Sequence, residues 1–212
     1  MFHPRNAGKP QFSVSDAEDH FAPLYSRDDR TTKFGPPPGC PRPPKPKFEF
    51  NTSELEEGKL FEAVKKKRNK NAPGINGIPF LVYKMCPRLL IILLSIMNRI
   101  WSEKVIPRCW QCGLIVLIAK SDDLSSPGEF RPIALLNAEG RLFSTLLGWR
   151  LSEYMSENGY IDTTIQKGFM ERIAGCIEHS ETVHQAMLDA HLNKRNFCTS
   201  WIDLTNAFGS VH

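Results

Sequence analysis

GLIVLIAKSDDLSSPGEFRPIALL, running from Gly113 to Leu136, is the stretch on which the fold reading turns. Residues 113–119 form a short, unbroken apolar run rich in β-branched side chains, which predicts a buried strand. Lys120 to Phe130 gathers Asp, Ser, Pro and Gly and reads as a loop. Residues 131–136 then return as the second strand of a hairpin with an extended tip. Lys120 closes the first strand and Arg131 opens the second, so two cations stand at the ends of the tip. Such a pair suits the grip of a triphosphate, Lys as a point charge and Arg as a bidentate fork, or merely keeps a hairpin soluble.

Upstream of the hairpin the pattern is helical. Ser53-Glu54-Leu55-Glu56 has the spacing of a capping box, and Leu60, Phe61 and Val64 follow at helical intervals, predicting a helix over 53–68. It runs into Lys65, Lys66, Lys67, Arg68 and Lys70. Cations there complement the helix dipole, and as phosphate contacts they would give salt-sensitive binding without sequence preference. Asn71-Ala72-Pro73-Gly74-Ile75-Asn76-Gly77-Ile78-Pro79 holds two glycines and two prolines and is a loop. The apolar segment 80–105 should be two helices divided at Pro87, because an interior proline removes a hydrogen bond and clashes with the preceding turn. In its second part Leu89, Leu90, Leu93, Leu94, Met97 and Ile100 form one stripe of core type.

Downstream, a helix is expected from Ala138 to Asn158, with Leu142, Phe143, Leu146, Leu147, Leu151, Tyr154 and Met155 facing inward and Gly159 ending it. Residues 166–175 read as irregular and 176–192 as helical. The segment 197–204 reads as a strand that carries Asp203 at its end. A carboxylate in that position suits a divalent cation near a phosphate, or equally the cap of a turn beginning just after it. Cys109 and Cys112, and Cys176 and His179, have metal-ligand spacings, but more than sixty residues separate the pairs and the first abuts a strand.

The first fifty residues differ from the rest. They offer few apolar anchors, and residues 36–46 read PPPGCPRPPKP, an extended polyproline-type spacer or a ligand for an SH3 or WW partner. We therefore expect a disordered polar and proline-rich tail over 1–50 and an ordered domain over 51–212. The chain has 212 residues and a formal net charge of +4, mildly basic and compatible with nucleic acid. A hydrophobic content of 41% excludes wholesale disorder. The longest mainly apolar run, Leu89 to Met97, is far short of the roughly 18 residues that a membrane span needs. Six scattered cysteines and a polar N-terminus point to an intracellular compartment, nucleus or cytoplasm, without a membrane partner or a secretory signal.

Taken in order, these segments resemble the reverse transcriptase domain of non-LTR, LINE-like retrotransposons. The resemblance is carried by 71–78, Ile106-Pro107, Trp110, the strand ending at Lys120, Phe130-Arg131-Pro132-Ile133-Ala134-Leu135-Leu136, Gln166-Lys167-Gly168-Phe169, 175–179 and 201–211. It implies an α+β fold: mostly helical fingers with a β-hairpin from about residue 69, then the first palm strand of a right-hand polymerase. It also implies roles. Asp203 would bind both catalytic Mg2+ (or Mn2+) ions, with the backbone of Leu204 helping. Phe208 would screen the sugar 2′ position, and Lys120 and Arg131 would hold the incoming triphosphate. Gln166, Gly168 and Phe169 would lie near the RNA template and DNA primer, as would the basic run from Lys65 to Lys70.

The departures from that family are also informative. Asn76 stands where aspartate is usual, and Ala119 replaces the usual proline before Lys120. The second metal-binding element, an aromatic-x-Asp-Asp hairpin, is absent from these 212 residues, as is the thumb. The Asp-Asp pairs present, Asp28-Asp29 and Asp122-Asp123, do not follow an apolar strand. The expectation is a fragment of an RNA-directed DNA polymerase, inactive by itself, with a non-catalytic nucleic-acid-binding module and a proline-rich interaction protein as alternatives. A palm strand lacking its neighbours also predicts marginal stability.

Overall fold

Apolar positions from four helices meet in one core. The protein is seen here as a computed structural model, which describes residues 9–25, 39, 43–168 and 175–203. The elements are helices α1 (Val14–Tyr25), α2 (Glu57–Lys66), α3 (Phe80–Met85), α4 (Pro87–Glu103) and α5 (Arg108–Gln111). Then follow strands β1 (Gly113–Ala119) and β2 (Phe130–Leu136) and helices α6 (Ala138–Glu157) and α7 (Ile177–Leu192). The chain divides into two compact units, one within Met1–Thr32 and Glu49–Tyr154, the other within Lys33–Phe48 and Met155–His212.

In the first unit Leu60, Ala63 and Val64 of α2 meet Phe80 and Tyr83 of α3. Leu90, Leu93, Met97 and Ile100 of α4 and Leu142, Phe143 and Leu146 of α6 complete the cluster. Leu60, Phe80, Met97 and Leu142 are essentially inaccessible, and each buried side chain of this size contributes roughly 1.5–3 kcal/mol. The expected division at Pro87 is present: Pro87 takes the first turn of α4, where its missing N–H has no helical partner to lose. Leu89 lies outside the buried part of its stripe, and so does Leu151 of α6. Gly140 lets α6 approach α5, because a Cβ there would come within 3.1 Å of the Trp110 Cβ.

Helix α2 begins at Glu57, later than the capping box predicts. Ser53 turns back on Asn51 instead, its N–H and hydroxyl both donating to the Asn51 carboxamide oxygen (3.0 and 2.7 Å). Tertiary contacts hold this segment off the helix. Asn98 exchanges two hydrogen bonds with the backbone of Leu55, Trp101 Nε1 donates to the Thr52 carbonyl, and Arg150 donates to the carbonyls of Ser53 and Glu54. Three side chains from α4 and α6 outweigh one local cap.

The hairpin forms in the expected register. β1 and β2 pair antiparallel, from Gly113 opposite Leu136 to Ala119 opposite Phe130. It is not buried, however. Leu114, Ile115, Val116, Ile118 and Ile133 are all exposed, because this is a two-stranded sheet with no further strand beside it among the described residues. A second correction lies in the expected tail. Residues 14–25 form α1, started by a reciprocal cap in which Asp16 N–H donates to Ser13 Oγ (3.1 Å) and Ser13 N–H donates to the Asp16 carboxylate (2.8 Å). The segment leading into α1 meets the hairpin: Gln11 N–H donates to the Leu124 carbonyl (3.0 Å), and Phe12 packs edge-on against buried Phe130 (5.1 Å). Most of the proline-rich stretch 36–46 lies outside the described residues.

In the second unit Asn158 is buried and organises the backbone. Its carboxamide oxygen accepts from the N–H groups of Lys47 and Phe48 (2.6 and 2.9 Å), and its amide donates to the Phe48 carbonyl. Gly159, with φ of 67°, ends α6 as expected. The predicted strand over 197–204 is not formed in its described part: residues 197–203 have no strand structure. A strand exists only through a partner ladder, and among the described residues none pairs with this segment.

Candidate nucleotide and nucleic-acid interface

Side-chain alternation in an antiparallel pair decides what the hairpin presents. Arg131 lies opposite Ile118, and Lys120 N–H continues the ladder to the Glu129 carbonyl (2.7 Å), so Lys120 and Arg131 fall on the same face. That face also carries Leu114, Val116, Ile118 and Ile133. The other carries Ile115, Leu117 and Phe130, toward Phe12 and α1. The Lys120 ammonium folds back to the Gly128 carbonyl (2.7 Å), while the exposed Arg131 guanidinium has no hydrogen-bond or ion-pair partner among the described residues. The tip between them is built by its own side chains. Ser121 donates to Glu129, and Asp123 accepts from the N–H and hydroxyl of Ser125 (2.9 and 2.6 Å). Those two bonds hold the Asp123 carboxyl below its ordinary value and commit it to a turn.

The breaker-rich loop 71–79 rests on the start of α6. Gly74 is packed so closely that a Cβ would stand 2.4 Å from the backbone nitrogen of Asn137. The buried Asn137 side chain accepts from Asn76 N–H (3.1 Å) and donates to the Cys109 carbonyl (2.9 Å). The Asn76 amide donates to both oxygens of Glu139 (3.1 Å each), and the Tyr83 hydroxyl donates to the same carboxylate. Burial, and then Glu139, push the Tyr83 phenol well above its ordinary value. Gly77 takes a φ of +70° in this loop, a conformation that glycine alone adopts without strain. Asn137, Glu139 and Tyr83 carry no signal in the sequence, because an Asn at a strand end means nothing until its loop partners are known.

The basic run splits by environment. Lys65, Lys66, Arg68 and Lys70 are exposed, Lys66 also pairing with Glu62 (2.8 Å) and lying 4.7 Å from the Trp149 ring centroid. Lys67 turns inward, donating to the Thr145 hydroxyl (3.1 Å). Burial, and then the charge of Arg141, lower its amine from the ordinary value. A wholly solvated helix end is therefore not what this run forms.

Asp203 belongs to the second unit and is exposed. Gln166 and Gly168 lie in the same unit, the Gln166 amide donating to the Gly168 carbonyl (2.8 Å). Lys167 between them pairs with Glu178 (2.5 Å), and His179 bonds the Ile165 carbonyl. Phe169, Leu204 and Phe208 lie outside the described residues. Among the described residues no group of three or more His, Cys, Asp or Glu side chains gathers. Cys86, Cys109, Cys112, Cys176 and Cys198 are free thiols. A single exposed carboxylate does not furnish the several oxygen ligands that a magnesium ion takes, so the donor set seen here does not by itself fit a bound metal.

No family model matches the chain. It is 29% identical over 154 residues to the "Probable RNA-directed DNA polymerase from transposon BS" of Drosophila melanogaster, covering 72% of this chain. It is also 29% identical over 161 residues, 74% of its length, to the "Probable RNA-directed DNA polymerase from transposon X-element" of the same organism. The chain spans 17% of the length of each of these curated relatives. The chain is accordingly similar to a region of these reverse transcriptases, and its described residues are α+β in class, helical with one two-stranded antiparallel hairpin.

Proposed function

We propose that this region is the fingers and the opening of the palm of a retroelement RNA-directed DNA polymerase, with Lys120 and Arg131 receiving the triphosphate of the incoming nucleotide. The observation that supports this reading best is the hairpin register, which puts both cations on one face beside the tip. The Lys120 ammonium would exchange the Gly128 carbonyl for a phosphate oxygen, a stronger acceptor because it is charged. Arg131 would offer its planar fork without first breaking a bond. Phe130, buried against Phe12, holds the start of β2 while its neighbour Arg131 stays outside. RNA template and DNA primer would be the polymers handled, along the basic run and the segment of Gln166, Gly168 and Phe169.

Asp203 would be one ligand of a magnesium pair in a longer protein that supplies the remaining carboxylates. On that account the 212 residues alone do not extend a primer. Isothermal titration of a deoxynucleoside triphosphate into the chain tests the triphosphate assignment: Arg131→Gln and Lys120→Gln should each weaken binding about tenfold, or ~1.4 kcal/mol. Affinity unchanged from the unmodified chain in both variants would remove it. Primer extension on an RNA template, with magnesium or manganese, should give no product, and any extension would overturn the claim of inactivity.

A second reading, a nucleic-acid-binding module without catalysis, is favoured by the exposed position of Asp203 away from any acidic cluster among the described residues. It predicts RNA binding that Asp203→Asn leaves unchanged.

A further inference from the structure

Lys67 and Arg141 converge on one aromatic ring. The Lys67 ammonium lies 5.8 Å from the centroid of buried Phe80, and the Arg141 guanidinium lies 4.8 Å from the same centroid. Thr145, one turn after Arg141 on α6, joins them: its hydroxyl accepts from Lys67 and donates to the Arg141 carbonyl (2.6 Å). Both cations are half-buried, where repulsion between like charges is less screened than in open water. Neither has a carboxylate partner among the described residues. Glu62 is paired with Lys66, and Glu139 is bonded by Asn76 and Tyr83. Lys84 adds a third cation at this corner, donating to the Lys67 carbonyl and to Asn69 Oδ1 (2.9 Å).

The donors also remain available. An ammonium has three N–H groups and a guanidinium five. The bonds formed use one from Lys67 and one from Arg141, the latter a long contact to the Ala72 carbonyl (3.5 Å). Two half-buried cations over one ring, with spare donors and no carboxylate partner among the described residues, are chemically complementary to a tetrahedral oxyanion.

We infer that Lys67 and Arg141 form a phosphate site, and that its ligand is a backbone phosphodiester of a single-stranded nucleic acid. The polymer is favoured over a free phosphate because Lys65, Arg68 and Lys70 continue the positive charge along the chain beside it, and all three are exposed. One phosphate would leave those charges unused, whereas successive phosphates of a strand meet them in turn. The inference deepens the preceding functional reading, which already sets Lys67 in the basic run along the polymer; Arg141 is the added partner, and neither residue belongs to the Lys120 and Arg131 triphosphate assignment.

The test uses the full 212-residue chain and a fluorescent single-stranded RNA of roughly 16 nucleotides, followed by anisotropy across a salt series. Lys67→Gln and Arg141→Gln should each weaken RNA binding about tenfold and flatten the log–log salt slope by roughly 0.7. Both should leave deoxynucleoside triphosphate affinity unchanged. Loss of triphosphate binding in every form, with this RNA effect intact, would sink the polymerase reading and spare the site.

Inorganic phosphate is titrated at constant ionic strength as the competing source. Displacement of RNA by phosphate at concentrations where sulfate does nothing would overturn the polymer assignment in favour of a free-phosphate site. Because Arg141→Gln also loosens its bond to Ala72, the unmodified chain supplies a second measurement. Acetylation of Lys67, read by mass spectrometry, should fall several-fold when RNA is present. Equal acetylation with and without RNA, or an unchanged salt slope in folded Lys67→Gln, overturns the proposal.

Discussion

At the scale of single residues, the loop 71–79 depends on amide chemistry at position 76. The Asn76 side chain donates two N–H bonds to Glu139, and its oxygen accepts from Ile78 N–H (3.1 Å). Aspartate, usual at this position in the family that the chain resembles, would keep the second bond and turn the first into repulsion between carboxylates. Asn76→Asp should therefore destabilise the chain by about 1 kcal/mol at neutral pH, and Glu139→Gln introduced with it should recover most of that loss. Urea unfolding of the single and double variants measures the coupling. Additive losses would show that the pair does not interact.

Tyr83, on the same carboxylate, predicts an alkaline effect. Burial first, and Glu139 second, raise its phenol, so the folded chain retains a proton that the unfolded chain releases above about pH 10. Stability contributed in this way is complete below the ordinary phenol range and declines as pH rises through it. Tyr83→Phe should abolish that component of the decline, measured as urea midpoints at neutral and alkaline pH. An unchanged alkaline slope in Tyr83→Phe would count against the assignment.

At the scale of elements, α1 and the hairpin explain each other. A two-stranded sheet is marginal by itself, and one face of this one gains Phe12, α1 and a backbone bond from Gln11 to the tip. His20 lies beside Gly128, whose carbonyl holds the Lys120 ammonium. The N-terminal segment thus steadies the part of the tip that positions a proposed phosphate contact. Phe12→Ala removes the ring packed on Phe130 and should cost about 3 kcal/mol at most, since the site is only partly enclosed. The expected readout is faster amide exchange across β1 and β2, with α2, α4 and α6 unaffected. Uniform acceleration over all helices would mean that the segment supports the whole core instead. The Ser13-x-x-Asp16 spacing that starts α1 is legible in the sequence, but its weight depends on a hairpin surface far along the chain.

At the scale of the whole molecule, much apolar surface is uncovered. Ile91, Ile92 and Ile96 lie exposed on one side of α4, and Leu114, Val116, Ile118 and Ile133 on one face of the hairpin. Contiguous exposed apolar patches of this kind mark surfaces that associate with another apolar surface. Purified alone, the chain should self-associate in the micromolar range, seen as concentration-dependent sedimentation. A monomer that unfolds cooperatively at high concentration would contradict this expectation.

Periodicity and breaker residues alone were enough to locate most elements. The stripe of Leu90, Leu93, Met97 and Ile100, the break at Pro87, the stop at Gly159 and the two strands are local features, set by helix and strand geometry and by what proline and glycine permit. Burial and pairing were settled by neighbours distant in sequence. Asn98, Trp101 and Arg150 moved the start of α2 away from its local cap, and α1 found the hairpin across a hundred residues. The strand expected to end at Asp203 has no partner among the described residues and is not formed over 197–203. The physical reason is the same in each case: a turn or a helix closes its hydrogen bonds within a few residues, whereas a sheet edge, a buried amide or a pair of cations on one ring is completed only by chain that arrives from elsewhere.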